Sequence, residues 1–181
     1  MSLLDILTSS EIPVRTRFGR WCQKVSLALD AIGADRNPDL LEASKNAVQP
    51  GVGVGSDIVL EDLRFNSGDV SYDSSTGIAT LVPGRTYRLY AALYAISFSD
   101  GLNGELIVNW VNANTNAILN ASVAGVFHPD TYTFGPNGQK PVVDAILRAT
   151  LSTFRVKLRV TNATGTASIS TASGLFITEL R

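Results

Sequence analysis

Apolar side chains recur along this chain with two different periods. Phe18, Trp21, Cys22, Val25, Leu29 and Ile32 fall three and four residues apart, a spacing that lays one stripe along a helix. Gly33 can end that helix. Asn37-Pro38 predicts the start of a shorter one, with Asn37 as cap and Pro38 in the first helical position. Leu40, Leu41 and Ala43 would form its apolar side. Short helices with such stripes are not stable alone in water. They must pack on their own domain, on a copy of themselves or on a larger assembly. The run Q-P-G-V-G-V-G-S at 49–56 reads as a flexible or extended connector. It predicts a hinge between a helical N-terminal arm, 1–48, and a β body, 57–181; the alternative is a loop inside one domain.

From residue 57 the period shortens to two. Strands are predicted at 58–65, 77–82, 87–98, 105–111, 117–126, 145–149, 152–161 and 174–180, separated by Gly and Asn turns. Many short strands broken in this way predict an all-β sandwich or jelly roll. At 153–161, Phe154, Val156, Leu158 and Val160 face in while Arg155, Lys157 and Arg159 face out. The strand 87–98 is different, because both of its faces are apolar. Tyr87, Leu89, Ala91 and Leu93 lie on one, and Tyr90, Ala92, Tyr94, Ile96 and Phe98 on the other. A sheet with one wet face alternates apolar with polar, so the second face of this strand needs a cover too.

The segment 65–90, F-N-S-G-D-V-S-Y-D-S-S-T-G-I-A-T-L-V-P-G-R-T-Y-R-L-Y, carries the most specific pattern. Asp73, Ser74 and Ser75 can bond their own backbone in a first turn that Gly77 closes with positive φ. Pro83-Gly84 supplies a second turn. The order Y-D-x-x-T-G, alternating strand, P-G-x-x-Y resembles the globular-head signature of the complement and tumour-necrosis-factor-like superfamily. Within it, the chain looks most like the versions carried on bacteriophage virions. The resemblance implies a jelly roll that assembles as a tight homotrimer. It also implies a closing strand, A-S-G-L-F-I-T-E-L at 172–180, at the centre of the inner sheet. Tyr87, Leu89, Tyr90, Leu93, Tyr94 and Phe176 would then carry core and trimer contacts, with the assignment of faces left open.

Charge and composition narrow the function classes. The 181 residues carry 15 Lys and Arg against 16 Asp and Glu, a net charge of −1. A nucleic-acid binder would show a basic excess, so no nucleic-acid partner is expected. Cys22 stands alone, which excludes an intrachain disulfide and reads as a buried, inert thiol. No signal peptide is expected from M-S-L-L-D-I-L-T-S-S, and no stretch approaches a membrane span. The product is expected to fold in a host cytoplasm and to join a virion. Nucleophile-elbow, P-loop and zincin motifs are missing, so no enzyme and no cofactor are expected. The single His128 would need three copies about an axis to hold a metal, and none is expected. Asp57, Asp62, Asp69, Asp73, Asp100 and Asp130 read as turn caps rather than Ca²⁺ ligands. The stripe Arg155, Lys157 and Arg159 reads as a solvated face, with phosphate or an acidic glycan as the alternative. Two glycosylation sequons, at 120–122 and 162–164, read as chance matches.

The remaining candidate chemistry is recognition. Arg15, Arg17, Arg20 and Lys24 stand against a single Glu11 and interleave with Phe18, Trp21 and Val25. Such a basic amphipathic arm fits an acidic, partly apolar groove, where Trp and Arg are the usual anchors. The chain is therefore expected to be a non-enzymatic phage virion protein. The first expectation is a trimeric capsid decoration or head-fibre protein, docked by its arm on the major capsid protein or another virion protein. The alternative is a tail-fibre or spike tip binding a host surface glycan through loops 99–104, 112–116 and 128–140, with His128, Tyr132 and Phe134 as contacts.

Overall fold

The computed structural model describes residues 38–100, 104–119, 122–127, 142–150 and 154–181. Pro38–Arg181 forms one compact unit, distinct from Met1–Asn37. Two large antiparallel sheets and a small one make up this unit. The first runs β10 (Ser122–Val123), β12 (Val142–Arg148), β7 (Thr86–Ala92), β15 (Gly174–Leu180), β1 (Leu40–Ser44), β4 (Asp62–Ser67). The second runs β11 (Gly125–Phe127), β9 (Glu105–Asn112), β13 (Phe154–Thr164), β6 (Ile78–Leu81), β5 (Ser71–Asp73), with β3 (Asp57–Ile58) also on β13. The small sheet is β2 (Gln49–Val52), β14 (Ala167–Ile169), β8 (Ala95–Ile96). As expected, the closing strand β15 lies inside the first sheet, between β7 and β1.

The period-two pattern builds the core between the two large sheets. Leu41, Leu89, Val143 and Ile177 from one and Leu81, Val108, Trp110, Val156 and Leu158 from the other are all buried. Trp110 also stitches the layers together, its Nε1–H donating to the Val143 carbonyl at 3.2 Å. Gly77 and Gly84 take φ of +71° and +82° at the two expected turns. Asp73 caps the first, accepting from the Ser75 hydroxyl and backbone N–H at 2.6 and 2.9 Å. Those bonds, the Ser75 hydroxyl first, pull its pKa down to about 2.

Several expectations need correction. The helix expected from Pro38 is a strand, with Leu41 and Ala43 buried and Leu40 and Glu42 half-buried. Five residues fit either period, and pairing to β15 on one side and β4 on the other decides the matter. The expected hinge at 49–56 is not a hinge. β2 pairs with β14, Gly51 and Gly55 turn the chain with positive φ, and the Gly55 N–H donates to the Val160 carbonyl at 2.9 Å. The β body thus begins at Pro38 rather than at residue 57. The single strand expected at 58–65 is two, because Ile58 pairs in one sheet and Asp62–Ser67 in the other. Likewise 87–98 divides into β7 and β8. Tyr94 marks the crossing, its N–H donating to Ser173 Oγ at 2.9 Å and its carbonyl accepting from Ser170 at 2.7 Å. The basic stripe on β13 is not a solvated face either. Lys157 is buried and Arg159 half-buried, and Asp57, expected as a turn cap, holds both at 2.7 and 3.1 Å.

The entry of the chain into the first sheet is pinned by charge. Asp39 is fully buried and accepts from Arg85 Nη1 at 2.6 Å, from the Asp69 N–H at 2.7 Å, and from the Tyr87 hydroxyl. Arg85 also reaches Asp69 at 2.6 Å. The Asp39 N–H donates to Glu179 Oε2 at 3.1 Å, and its carbonyl accepts from the Glu179 N–H at 2.9 Å. Burial alone would raise the Asp39 pKa, but bonds from Tyr87, Asp69 and Arg85 win and hold it below the ordinary carboxylate value. Burial, then the bond to Asp39, pushes the Tyr87 phenol well up. Gly68 takes φ of +75°, and a Cβ there would strike the Asp39 carboxylate.

Two predictions follow from this packing. Asp39→Asn leaves Arg85 facing only Asp69, and we expect a loss of about 3 kcal/mol in urea unfolding, the low end for breaking a buried pair. Because the folded Asp39 pKa is depressed, its stabilisation is present above the unfolded value of about 3.9 and is lost as pH falls through the folded pKa. The variant should therefore show a shallower fall in stability below about pH 4. Trp110→Ala should cost about 3–5 kcal/mol in the same assay; a change under about 1 kcal/mol would mean that neighbouring side chains refill its place.

Candidate functional site

Among the described residues, no element packs on the second face of the first sheet. Register places Phe65, Glu42, Phe176, Tyr90, Asp144 and Val123 side by side across all six strands. One step toward the end that holds Asp39, the row reads Ser67, Leu40, Thr178, Arg88, Ile146. A further step brings Leu180, Thr86 and Arg148 into line. Phe65, Val123, Ile146, Phe176 and Leu180 are 39–64 % exposed. Directly paired residues share a face, so these side chains form one surface, and isolated strand alternation does not explain it.

At the centre of this surface sits one ion pair. Arg88 donates from Nη2 and Nε to the two Asp144 oxygens at 2.7 and 3.2 Å, a two-pronged geometry that fixes both side chains. The bond to Asp144 raises the Arg88 pKa further. The guanidinium also lies 5.7 Å from the Tyr90 ring centroid, within cation–π range. Tyr90 meets Phe176 at 6.5 Å between centroids, tilted by 50°. Arg88 and Asp144 thus neutralise each other at the middle of the face, while Glu42 adds a carboxylate between Phe65 and Phe176.

A second apolar group lies where the first sheet meets the second. Ile118 is 50 % exposed and shares a notch with Ile146 on the β10–β12 edge. β10 covers β12 only at Asp144 and Ala145. Beyond it, a notch of about 410 Å³ opens between Ile118, Leu119, Ile146, Leu147 and Phe154, with Asn112 and Thr115 at its rim.

The structure separates the sequence-predicted residues. Tyr87, Leu89 and Leu93 are fully buried in the core. Tyr90 and Phe176 lie on the uncovered face, and Tyr94 is half-buried at the strand crossing. Arg15, Arg17, Phe18, Arg20, Trp21, Lys24 and Val25 lie outside the described residues, as do His128, Tyr132 and Phe134. The three candidate loops do not share one end of the sandwich. β1 starts and β15 finishes at the end that holds Asp39 and Arg85, here the base. Residues 112–116 are there too, since Ala113 donates to the Arg155 carbonyl and β13 begins beside Leu81. Ser99 instead bonds Thr166 beyond the far end of β9 and β13. The strands flanking 128–141 also finish there, Phe127 beside Leu106 and Val142 beside Ala92. That opposite end is the tip.

Sequence reasoning missed Phe65, Val123, Ile146, Leu180 and the Arg88–Asp144 pair. Alternation in V-V-D-A-I-L-R at 142–148 would have marked Ile146 as an apolar residue on a wet face. Among the described residues, no group of three or more His, Cys, Asp or Glu converges as metal ligands. No helix among them is long and apolar enough to cross a membrane.

Comparison with solved structures agrees with this architecture. Murine APRIL superposes with a TM-score of 0.51 at 11% identity, over 80% of this chain and 100% of its own. Eiger TNF from S. frugiperda gives 0.50 at 14% identity, over 80% and 94%. The fold is therefore a tumour-necrosis-factor-like jelly roll. The tripod from the baseplate of bacteriophage Tuc2009 aligns over 100% of this chain and 99% of its own at 16% identity, but its TM-score of 0.36 is too low to establish a common fold. No protein-family model matches the sequence, and no curated protein matches it.

Proposed function

We propose that this chain is a trimeric structural protein of a bacteriophage virion, closed through the uncovered face of its first sheet. The observation that carries the trimer is the pairing of two apolar groups on one molecule. One lies across β4, β1 and β15, the other along the β10–β12 edge. Different patches that complement each other give a head-to-tail contact, which closes into a ring when the rotation allows. Exposed apolar surface of this extent marks an interaction site. The virion setting is supported by the likeness of the chain, within the superfamily that residues 65–90 resemble, to phage-borne heads.

Within that setting we favour capsid decoration or a head fibre over a tail tip, with Arg15, Arg17, Phe18, Arg20, Trp21, Lys24 and Val25 docking on the major capsid protein or another virion protein. In the alternative reading, host glycan binding falls to the tip, near residues 99–104 and 128–140 with His128, Tyr132 and Phe134; the base position of 112–116 argues against that loop. Binding and display need no bond chemistry and no cofactor.

Sedimentation equilibrium should give three times the chain mass, and Phe176→Asp should give a folded monomer; a wild-type monomer overturns the assembly. Electron microscopy of particles should show density over the shell, and density only at the tail would favour receptor binding. The central ion pair supplies a sharper check. Arg88→Met strands Asp144 on a covered face and should dissociate the trimer, whereas Arg88→Met with Asp144→Leu should restore it. Equal behaviour of the single and double variants would mean that the face stays wet.

A further inference from the structure

The notch at the β10–β12 edge has its own geometry, and it selects an occupant. The first sheet continues past the end of β10, so β12 has no neighbour on that side at Ile146, Leu147 and Arg148 among the described residues. The second sheet closes the opposite wall with Phe154, and Leu119 also lines the slot. The result is a mostly apolar slot of about 410 Å³. That volume lies at the low end of the roughly 300–1,000 Å³ that ligand pockets span and leaves room for a side chain. Its two outer walls, Ile118 and Ile146, are half exposed, and Ile146 belongs to the uncovered face itself. The slot and the face are therefore one continuous surface.

This inference rests on the trimer reading above. The two apolar groups lie toward opposite edges of the same sheet, separated across the strand direction rather than along it. With strands about 4.8 Å apart, protomers that join these groups stand side by side. The ring axis then runs along the strands. Members of a closed ring all sit at one height along that axis. A slot at the base of one protomer consequently meets only base residues of the next. On the uncovered face, the apolar residues at that height are Leu40 and Leu180. Leu40 is half-buried between β15 and β4. Leu180 is 39 % exposed and lies two residues beyond the row of Ile146. Phe65 and Phe176 lie toward the tip, level with Asp144, where β10 already fills the edge.

We infer that Leu180 of one protomer seats in the Ile118–Ile146–Phe154 slot of its neighbour, and that this seat sets the register of the trimer. A buried aliphatic anchor in a matching pocket, surrounded by weaker contacts, is the usual form of an interface hot spot. Here the anchor lies in the final turn of closure, at the end of the last strand, so it forms only when β15 is in place.

The full-length chain tests this on a Cys22→Ser background. Ile118→Cys together with Leu180→Cys, treated with a short bismaleimide, should yield covalent trimer on a denaturing gel. Ile118→Cys with Val54→Cys, which puts the second thiol on an exposed turn, should not. In parallel, Leu180→Asp should convert the trimer to monomer by sedimentation while leaving its circular dichroism unchanged. A sedimenting trimer that neither cross-links through 118 and 180 nor responds to Leu180→Asp overturns the seat and leaves the assembly standing. A wild-type monomer overturns the assembly, and the seat with it.

Discussion

A buried carboxylate fixes the position of the strand on which the rest of this sheet depends. β1 has no chain turn joining it to β15, and only five residues of ladder hold it there. Asp39 supplies what the ladder lacks. Its side chain gathers Arg85, Tyr87 and the Asp69 amide, while its backbone exchanges two bonds with Glu179. Three segments distant in sequence are thereby referred to one atom group. A hydrophobic contact of similar size would stabilise the same place, but it would not specify direction and register in this way. The close approach of Gly68 shows how little room the arrangement leaves.

The central ion pair lowers the cost of covering this face. A lone charge in the middle of an apolar surface would oppose burial by several kcal/mol. Arg88 and Asp144 answer each other within one chain, in two-pronged geometry, before any partner arrives. Tyr90 adds its ring to the guanidinium, and Phe176 leans on Tyr90. The surface is therefore ordered in advance, and little side-chain entropy remains to be lost on contact.

Much of this was legible in the sequence, and the failures have definite causes. Turn chemistry reports local backbone geometry, so Gly77, Gly84 and Asp73 read correctly. The closing strand 174–180 is apolar, alternating and bounded, and its limits were right to the residue. Periodicity failed for Leu40–Ser44 because five residues cannot distinguish 3.6 from 2, and long-range pairing overrode the Asn-Pro start signal. It also failed where a strand leaves one sheet for another, at 59–61 and 93–94, since apolar alternation continues through the crossing. The uncovered face was seen only on strand 87–98 and at Phe176. Its other members sit on short edge strands, or beside charged neighbours, where each residue taken singly looks ordinary. The Arg88–Asp144 pair spans 56 residues, and no local pattern announces it.

The placement of β1 also orders events in time. β1 leaves the ribosome well before its central neighbour β15, Leu40 beside Thr178. Until β15 has been made, β1 is left with β4, and the Asp39 backbone has no Glu179 to bond. The first sheet therefore cannot close until residues 174–180 have been made, and contacts of such separation form slowly. A nascent chain stalled before residue 174 would hold its two halves of the sheet apart, with Leu41, Ala43 and Leu89 still lacking the strand that joins them.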